Sequence, residues 1–134
     1  MRNAVVVALM WAVAGLAASC SSPTSPTPPE LFTIAPGQSA EYRQLSVTFE
    51  EVVVDSRCPE EAFVLCIQFG DAYLKLRATT PHSTRQYDVQ VVDPVRRRFE
   101  HAGYDVEVTA LEPRPFISGP IDPKDYRLTV AVRK

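Results

Sequence analysis

From residue 31 onward, apolar and polar residues alternate with a period of two over most of the chain. In LSVTFEEVVV, Leu45, Val47 and Phe49 alternate with Ser46, Thr48 and Glu50, the signature of a half-buried strand. The apolar phase then slips to Val52 and Val54, which predicts a β-bulge near Glu50–Glu51. FVLCIQF puts Phe63, Leu65, Ile67 and Phe69 on one face. DAYLKLRA sets Ala72, Leu74, Leu76 and Ala78 against Tyr73, Lys75 and Arg77. RQYDVQVV and GYDVEVTAL repeat the pattern through Tyr87, Val89, Val91, Tyr104, Val106 and Val108. DYRLTVAVRK closes with Tyr126, Leu128, Val130 and Val132 inward. Ahead of these, LFTIAPGQSAEYRQL reads as a short strand, a Pro-Gly turn and a second extended piece.

The pattern amounts to about seven strands, hydrophobic on one side and polar on the other, as in antiparallel sheets wetted on one face. It predicts an all-β fold, an antiparallel immunoglobulin-like sandwich over residues 31–134; a small barrel is the alternative closure. The core Trp and inter-sheet disulfide of true immunoglobulin domains are absent, and Trp11 lies in the leader. DPVRRRFEHAG departs from the β period. Asp93 is a candidate cap, Pro94 stands at a first helical position and Gly103 at a stop. Residues 94–102 therefore read equally as a two-turn helix or an exposed hairpin loop. LEPRPFISGPIDPKDYRLTV is proline-rich and reads as a long, stiff crossover. Within it, Phe116 and Ile117 are expected to tuck under the sandwich rather than project from the loop tip.

The first residues change the picture. Arg2 precedes an unbroken apolar or glycine run from Ala4 to Ala18. That run is shorter than the ~20 residues of a transmembrane helix and fits the core of a secretory signal over residues 1–19. Small residues Ala17, Ala18 and Ser19 then lead to Cys20. LAASC resembles the lipobox of bacterial lipoproteins, in which the cysteine is lipidated and becomes the mature N-terminus. Leu16 stands one place further from the cysteine than is commonest in that motif. The resemblance implies lipidation at Cys20 and a membrane anchor there. Several acyl chains would hold stably where one is marginal. SSPTSPTPP, residues 21–29, follows and can build no core; it reaches roughly 28 Å at about 3.1 Å per residue, and residues 20–30 read as the lipidated cysteine and its tether. Ser21, in place of an inner-membrane retention Asp, points to the outer membrane, on its periplasmic or surface face.

Composition limits the rest. The chain has 134 residues, and the portion after the leader is one domain's worth. From Cys20 onward it carries 13 basic and 16 acidic side chains, a net charge of −3. That balance gives no field for nucleic acid.

The candidate chemistry is sparse. Cys58 and Cys66 are separated by seven residues, too many for a thioredoxin-like redox pair and more than usual for paired zinc ligands. In an oxidising compartment two nearby cysteines most often bond, with metal ligation and free thiols as the other readings. Asp55, Glu60, Glu61 and Asp71 could gather as calcium ligands, yet follow no calcium-loop spacing; a solvated acidic loop is the simpler expectation, with Asp55 bonding turn amides. Arg96, Arg97 and Arg98 could meet lipid phosphates, but read more simply as a solvated face. His82 and His101 are the two histidines, and neither sits in a nucleophile elbow. No metal, cofactor or catalytic residue is expected.

VTFEEVVVDSRCP, the run from Cys66 to Ala72, GYDVEVTALEPRP and DYRLTVAV together resemble a family of small, uncharacterised bacterial secreted proteins and lipoproteins. These share an extended strand, D-S-R-C-P, a second cysteine and late strands with L-x-P-x-P. Gln68 and Phe69 stand where that family often has Trp and a small residue. The resemblance implies a paired Cys58–Cys66 and a β architecture, and no activity. The expected role is a non-catalytic binding or envelope-structural module with an envelope protein or glycan as partner. A protease inhibitor acting through its loops is the alternative, and a hydrolase a more distant one.

Overall fold

The computed structural model describes residues 25–59, 61, 66 and 70–134. Eight strands run in chain order: β1 (Glu30–Ile34), β2 (Ser39–Tyr42), β3 (Leu45–Asp55), β4 (Ala72–Thr80), β5 (Ser83–Gln90), β6 (Arg98–His101), β7 (Tyr104–Glu112) and β8 (Arg127–Arg133). One 3-10 turn, Pro123–Asp125, precedes β8. The strands form two four-stranded antiparallel sheets, ordered β1-β8-β7-β6 and β2-β3-β4-β5. The second sheet is a meander, and the first is a β6-β7-β8 meander to which β1 is added across β8, joining the two ends of the chain. The expected strand at 63–69, Cys66 apart, lies outside the described residues, as do Trp11 and Cys20.

The period-two pattern dictates the core. Leu45, Val47, Phe49, Leu74 and Leu76 project from one sheet against Val106, Val108, Leu111, Leu128, Val130 and Val132 from the other, all essentially excluded from solvent. Interior burial of this kind contributes roughly 1.5–3 kcal/mol per large apolar side chain. Aromatic rings close both flanks. Tyr42 meets Tyr104 edge to face at 6.2 Å. Tyr87 stacks on Phe99 at 4.0 Å.

The predicted bulge is present, with the β3–β4 register shifting between Phe49 and Glu51; a second shift falls between Val52 and Val54. The helix reading at 94–102 is overturned. Asp93 does cap one turn, its Oδ1 accepting from the amides of Val95 and Arg96 at 2.8 and 3.1 Å. The chain then leaves that turn as β6, because Arg98–His101 pairs with Tyr104–Glu107. A ladder supported by the β7–β8 pair offers more than an isolated helix of two turns, which is marginal in water. The Ala102–Gly103 link has φ of 50° and 79°, both left-handed, as a two-residue type I′ hairpin requires.

The sandwich is polar along its length. The two-residue turns Arg43–Gln44, Pro81–His82 and Ala102–Gly103 gather at one end. Contacts between Tyr42 and Tyr104 and between Ser83 and His101 tie that end together. β1 starts there, Glu30 lying opposite Val132 beside the C-terminus, and Pro26 and Thr27 lie near Gly103 and Lys134. The longer connections, 56–71, 91–97 and 113–126, all lie at the other end.

Candidate functional site

The loop end is organised by two carboxylates. Asp55 ends β3 and Arg57 follows two residues later, a spacing that returns an extended chain to the same face. The Arg57 side chain forks onto Asp55, Nε to Oδ1 at 2.9 Å and Nη2 to Oδ2 at 2.8 Å. The two side chains are 8% and 7% exposed. Arg57 also donates through Nη1 to the Leu111 carbonyl and through Nη2 to that of Pro113 at 2.8 Å. It thereby fastens β3 to the end of β7, on the opposite sheet. The Tyr126 hydroxyl donates to Asp55 Oδ2 at 3.1 Å, adding the entry to β8.

Burial works to raise the Asp55 carboxyl. Hydrogen bonds and charge from Arg57, with the Tyr126 hydroxyl, more than offset it and hold the group below its ordinary value. Tyr126 moves the other way. Burial first, then the neighbouring Asp55 carboxylate, push its hydroxyl up to about 12.

Asp71, just before β4, organises the second loop. Its Oδ1 accepts from the amides of Ala72, Val91 and Val92 at 2.7, 2.9 and 2.8 Å, and its Oδ2 from Asp93 at 3.0 Å. Four backbone donors converge on one side chain, and the Val91 amide among them is shared with the Ala72 carbonyl at 3.2 Å. Gly70 beside it is obligatory on space alone, since a Cβ there would fall 1.5 Å from the Ser56 carbonyl oxygen.

Cys58 and Cys66 lie at disulfide distance, 6.0 Å between Cα atoms, and so staple the 56–71 connection. Between that connection and β7 lies a cleft of about 600 Å³, lined chiefly by Arg57, Cys58, Pro59, Val91, Val92 and Leu111. The proline-rich loop is tied back where the Glu61 carboxylate accepts from the Ile117 amide at 2.8 Å. Phe116 and Ile117 are 49% and 62% exposed, against the expectation that they tuck under the sandwich. The space beneath is already taken by Tyr126 and Ile121, which pack on the core, and the Phe116–Gly119 bridge turns the tip outward. Of the eight large apolar side chains exposed among the described residues, seven lie at or beside this end: Val53, Val54, Tyr73, Val92, Val95, Phe116 and Ile117. Only Leu31 lies elsewhere.

The remaining sequence candidates disperse. Asp55 and Asp71 are engaged by protein donors, Glu61 by the Ile117 amide, and Glu60 lies outside the described residues; among those described, no cluster of metal-ligating side chains forms. Asp55 does accept from a turn amide, that of Arg57, at 3.2 Å. Arg97 and Arg98 both pair with Glu107, at 2.9 and 3.2 Å, and Arg96 reaches toward Asp93. Arg97 and Arg98 thereby tie the start of β6 to β7, while Arg96 stays exposed beside Asp93. His82 is exposed at a turn. His101 is buried, with Nδ1 and Nε2 each 3.0 Å from Tyr87 Oη and Ser83 Oγ. Tyr87 donates to the Glu100 carbonyl, so its oxygen is left to accept from Nδ1–H. Nε2 then accepts from the Ser83 hydroxyl. The ring fastens β5 to β6, and among the described residues no carboxylate orients it as a triad would require.

Sequence inspection passed over Arg57, weighed Asp71 only as a calcium ligand, and placed Tyr126 only as an inward-facing strand residue. The signal for Arg57 was present in D-S-R, an acid and a guanidinium two apart at a strand end. Asp71 meets amides about twenty positions away, and nothing local marks it. No helix among the described residues is long and apolar enough to cross a membrane. No known family model matches this chain, and neither a curated protein nor a solved structure matches it.

Proposed function

We propose that the chain is a lipid-anchored, non-catalytic binding module of a bacterial envelope, which presents its loop end to a partner. The observation that carries the reading is the polarity of the sandwich. Strand β1, into which residues 20–30 lead, starts at the end of tight turns. The exposed apolar side chains, the cleft and the staple are at the other. A lipid on Cys20 would hold the tight-turn end toward the membrane, on the outer-membrane side that Ser21 favours, and turn the loops outward. The loops are also preorganised: Arg57 and Asp71 fix them before any partner arrives, which lowers the ordering cost of association. Apolar groups that a monomer leaves exposed in concentration commonly mark an interaction surface.

Two comparisons test this. The change Cys20→Ala should abolish lipid labelling and release the chain from membranes; unchanged partitioning would remove the anchor. The triple change Val92→Ser, Phe116→Ser and Ile117→Ser should abolish a specific envelope cross-link that Leu31→Ser leaves intact. Equal loss in both, or no loss in either, would remove the loop end as the binding face.

A further inference from the structure

We infer that Ser83 is a base-activated acyl acceptor: His101 primes its hydroxyl to take an acyl group from an activated ester. The inference goes beyond the binding reading above and does not rest on it. The fold itself brings the pair together. β5 and β6 are edge strands of opposite sheets. Alternation along β5 places Ser83 and Tyr87 on its inner side, opposite Thr80 and Leu76 of β4. On β6, Phe99 and His101 lie inward, opposite Val106 and Tyr104. The two inner sides meet at the flank of the sandwich, where Tyr87 stacks on Phe99 and meets His101 edge to face at 5.9 Å. His101 is 5% exposed, whereas Ser83 stands at the surface. A base shielded from solvent therefore holds a hydroxyl that an acyl donor can reach.

The hydrogen bonds give the ring the form a base needs. Ser83 Oγ lies 3.0 Å from Nε2, and Tyr87 Oη lies 3.0 Å from Nδ1. A serine within hydrogen-bond reach of a base that a third group orients is the arrangement that activates a hydroxyl. Tyr87 is that third group. Its own hydrogen goes to the Glu100 carbonyl at 3.0 Å, so its oxygen accepts from Nδ1–H and the Nε2 lone pair is left facing Ser83. A triad's carboxylate holds the same tautomer; here a phenol does so. Once Nε2 has taken the serine proton, both ring N–H groups keep oxygen acceptors, Tyr87 Oη on one side and the Ser83 carbonyl, 3.4 Å away, on the other. Thr80 Oγ1 is 3.3 Å from Ser83 Oγ, and its hydroxyl can rotate toward the oxyanion that forms on the attacked carbonyl. Joining β5 to β6 does not by itself call for this arrangement, since the Tyr87–Phe99 stack and the Tyr87–Glu100 bond already make that join.

The step balances with the ester alone. Ser83 Oγ adds to the acyl carbonyl as its proton passes to Nε2. The bond from the acyl carbon to the leaving oxygen then breaks, and the leaving alcohol or phenol carries the proton away from Nε2. A Ser83 ester and a neutral His101 remain.

The test treats the full chain in detergent micelles with p-nitrophenyl acetate, follows nitrophenol release, and maps acetylated hydroxyls by mass spectrometry. The expected product carries its acetyl on Ser83, while Ser39 and Ser46, bonded to Thr48 and Glu41 on the outer face of the other β2–β3 sheet strands, stay free. General-base assistance should make Ser83 react at least about a hundredfold faster than in a synthetic peptide of residues 81–86, and His101→Gln should remove that gain. His82→Ala should leave the rate unchanged. Tyr87→Phe keeps the ring stack but removes the bond that selects the tautomer, and should slow acetylation about fivefold. Nitrogen NMR of His101 should show Nδ1 protonated and Nε2 bare in the wild type, with the other tautomer appearing in Tyr87→Phe. Acetyl groups spread evenly over the three serines, a rate no faster than the peptide's, loss with His82→Ala, or a protonated Nε2 in the wild type would each overturn the inference. The NMR arm decides the tautomer even where His101→Gln fails to fold.

Discussion

Arg57→Ala should be the most damaging single truncation at the loop end. The wild-type guanidinium makes two bonds to Asp55 and one each to the Leu111 and Pro113 carbonyls, with both charged side chains under a tenth exposed. Alanine leaves the Asp55 carboxylate buried with the Tyr126 hydroxyl as its remaining side-chain donor, and leaves two carbonyls without their donor. Breaking a buried pair from one side costs about 3–5 kcal/mol, a large part of the ~5–15 kcal/mol that holds a domain. In urea, with a slope of about 1–2 kcal/mol per molar for a small domain, the midpoint should fall by about 1.5–5 M. The double change Asp55→Ala and Arg57→Ala removes the orphaned charge as well. Its cost should be less than the sum of the singles by about 1–3 kcal/mol. An Arg57→Ala cost below about 1 kcal/mol, or strict additivity of the pair, would refute the claim that this ion pair joins the sheets.

Four other outcomes follow from the contacts at the loop end. Asp55 is held below its ordinary value, so its contribution is present above about pH 4 and lost as pH falls further; Asp55→Asn should flatten the acid limb of a stability profile. Tyr126 titrates at about 12 rather than 10.0, so its contribution is present below pH 10 and lost as pH rises from about 10 to 12, and Tyr126→Phe should remove that alkaline loss in an absorbance-monitored titration. Gly70→Ala drives a Cβ into the Ser56 backbone and should cost at least about 2 kcal/mol by urea unfolding, where a cost near zero would show that the two connections are free to separate. Reducing Cys58–Cys66 opens a loop of nine residues and should lower stability by about 2.5 kcal/mol on the chain-entropy estimate, read as a drop in melting temperature with reductant that a Cys58→Ser, Cys66→Ser variant does not show.

The strands were legible wherever a sheet face is buried. Leu74 and Leu76 against Lys75 and Arg77, or Leu128, Val130 and Val132 at the end, state the inner face outright, because a one-residue slip would expose every one of them. The Phe49–Glu51 bulge was legible for the same reason, as a break in phase. β6 was hidden. Its four residues include Arg98 and Glu100, and the Asp93-Pro94 cap signal, physically real for one turn, masks the ladder that follows. Phe116 and Ile117 were misjudged because apolar character alone does not say whether room remains beneath a loop. Arg57 could have been read from D-S-R, whereas the Asp71 amide cradle depends on the 91–93 segment folding back over β4, which no local pattern encodes.

The binding-face account is tested most directly by placing a photo-crosslinking side chain at two positions in the full chain in intact cells. One replaces Phe116 at the loop end, and the other replaces Gln44 at the end of tight turns. A discrete protein or glycan adduct from position 116, with none from position 44, is the predicted result. Adducts from position 44 alone, or indistinguishable adducts from both, would contradict the account.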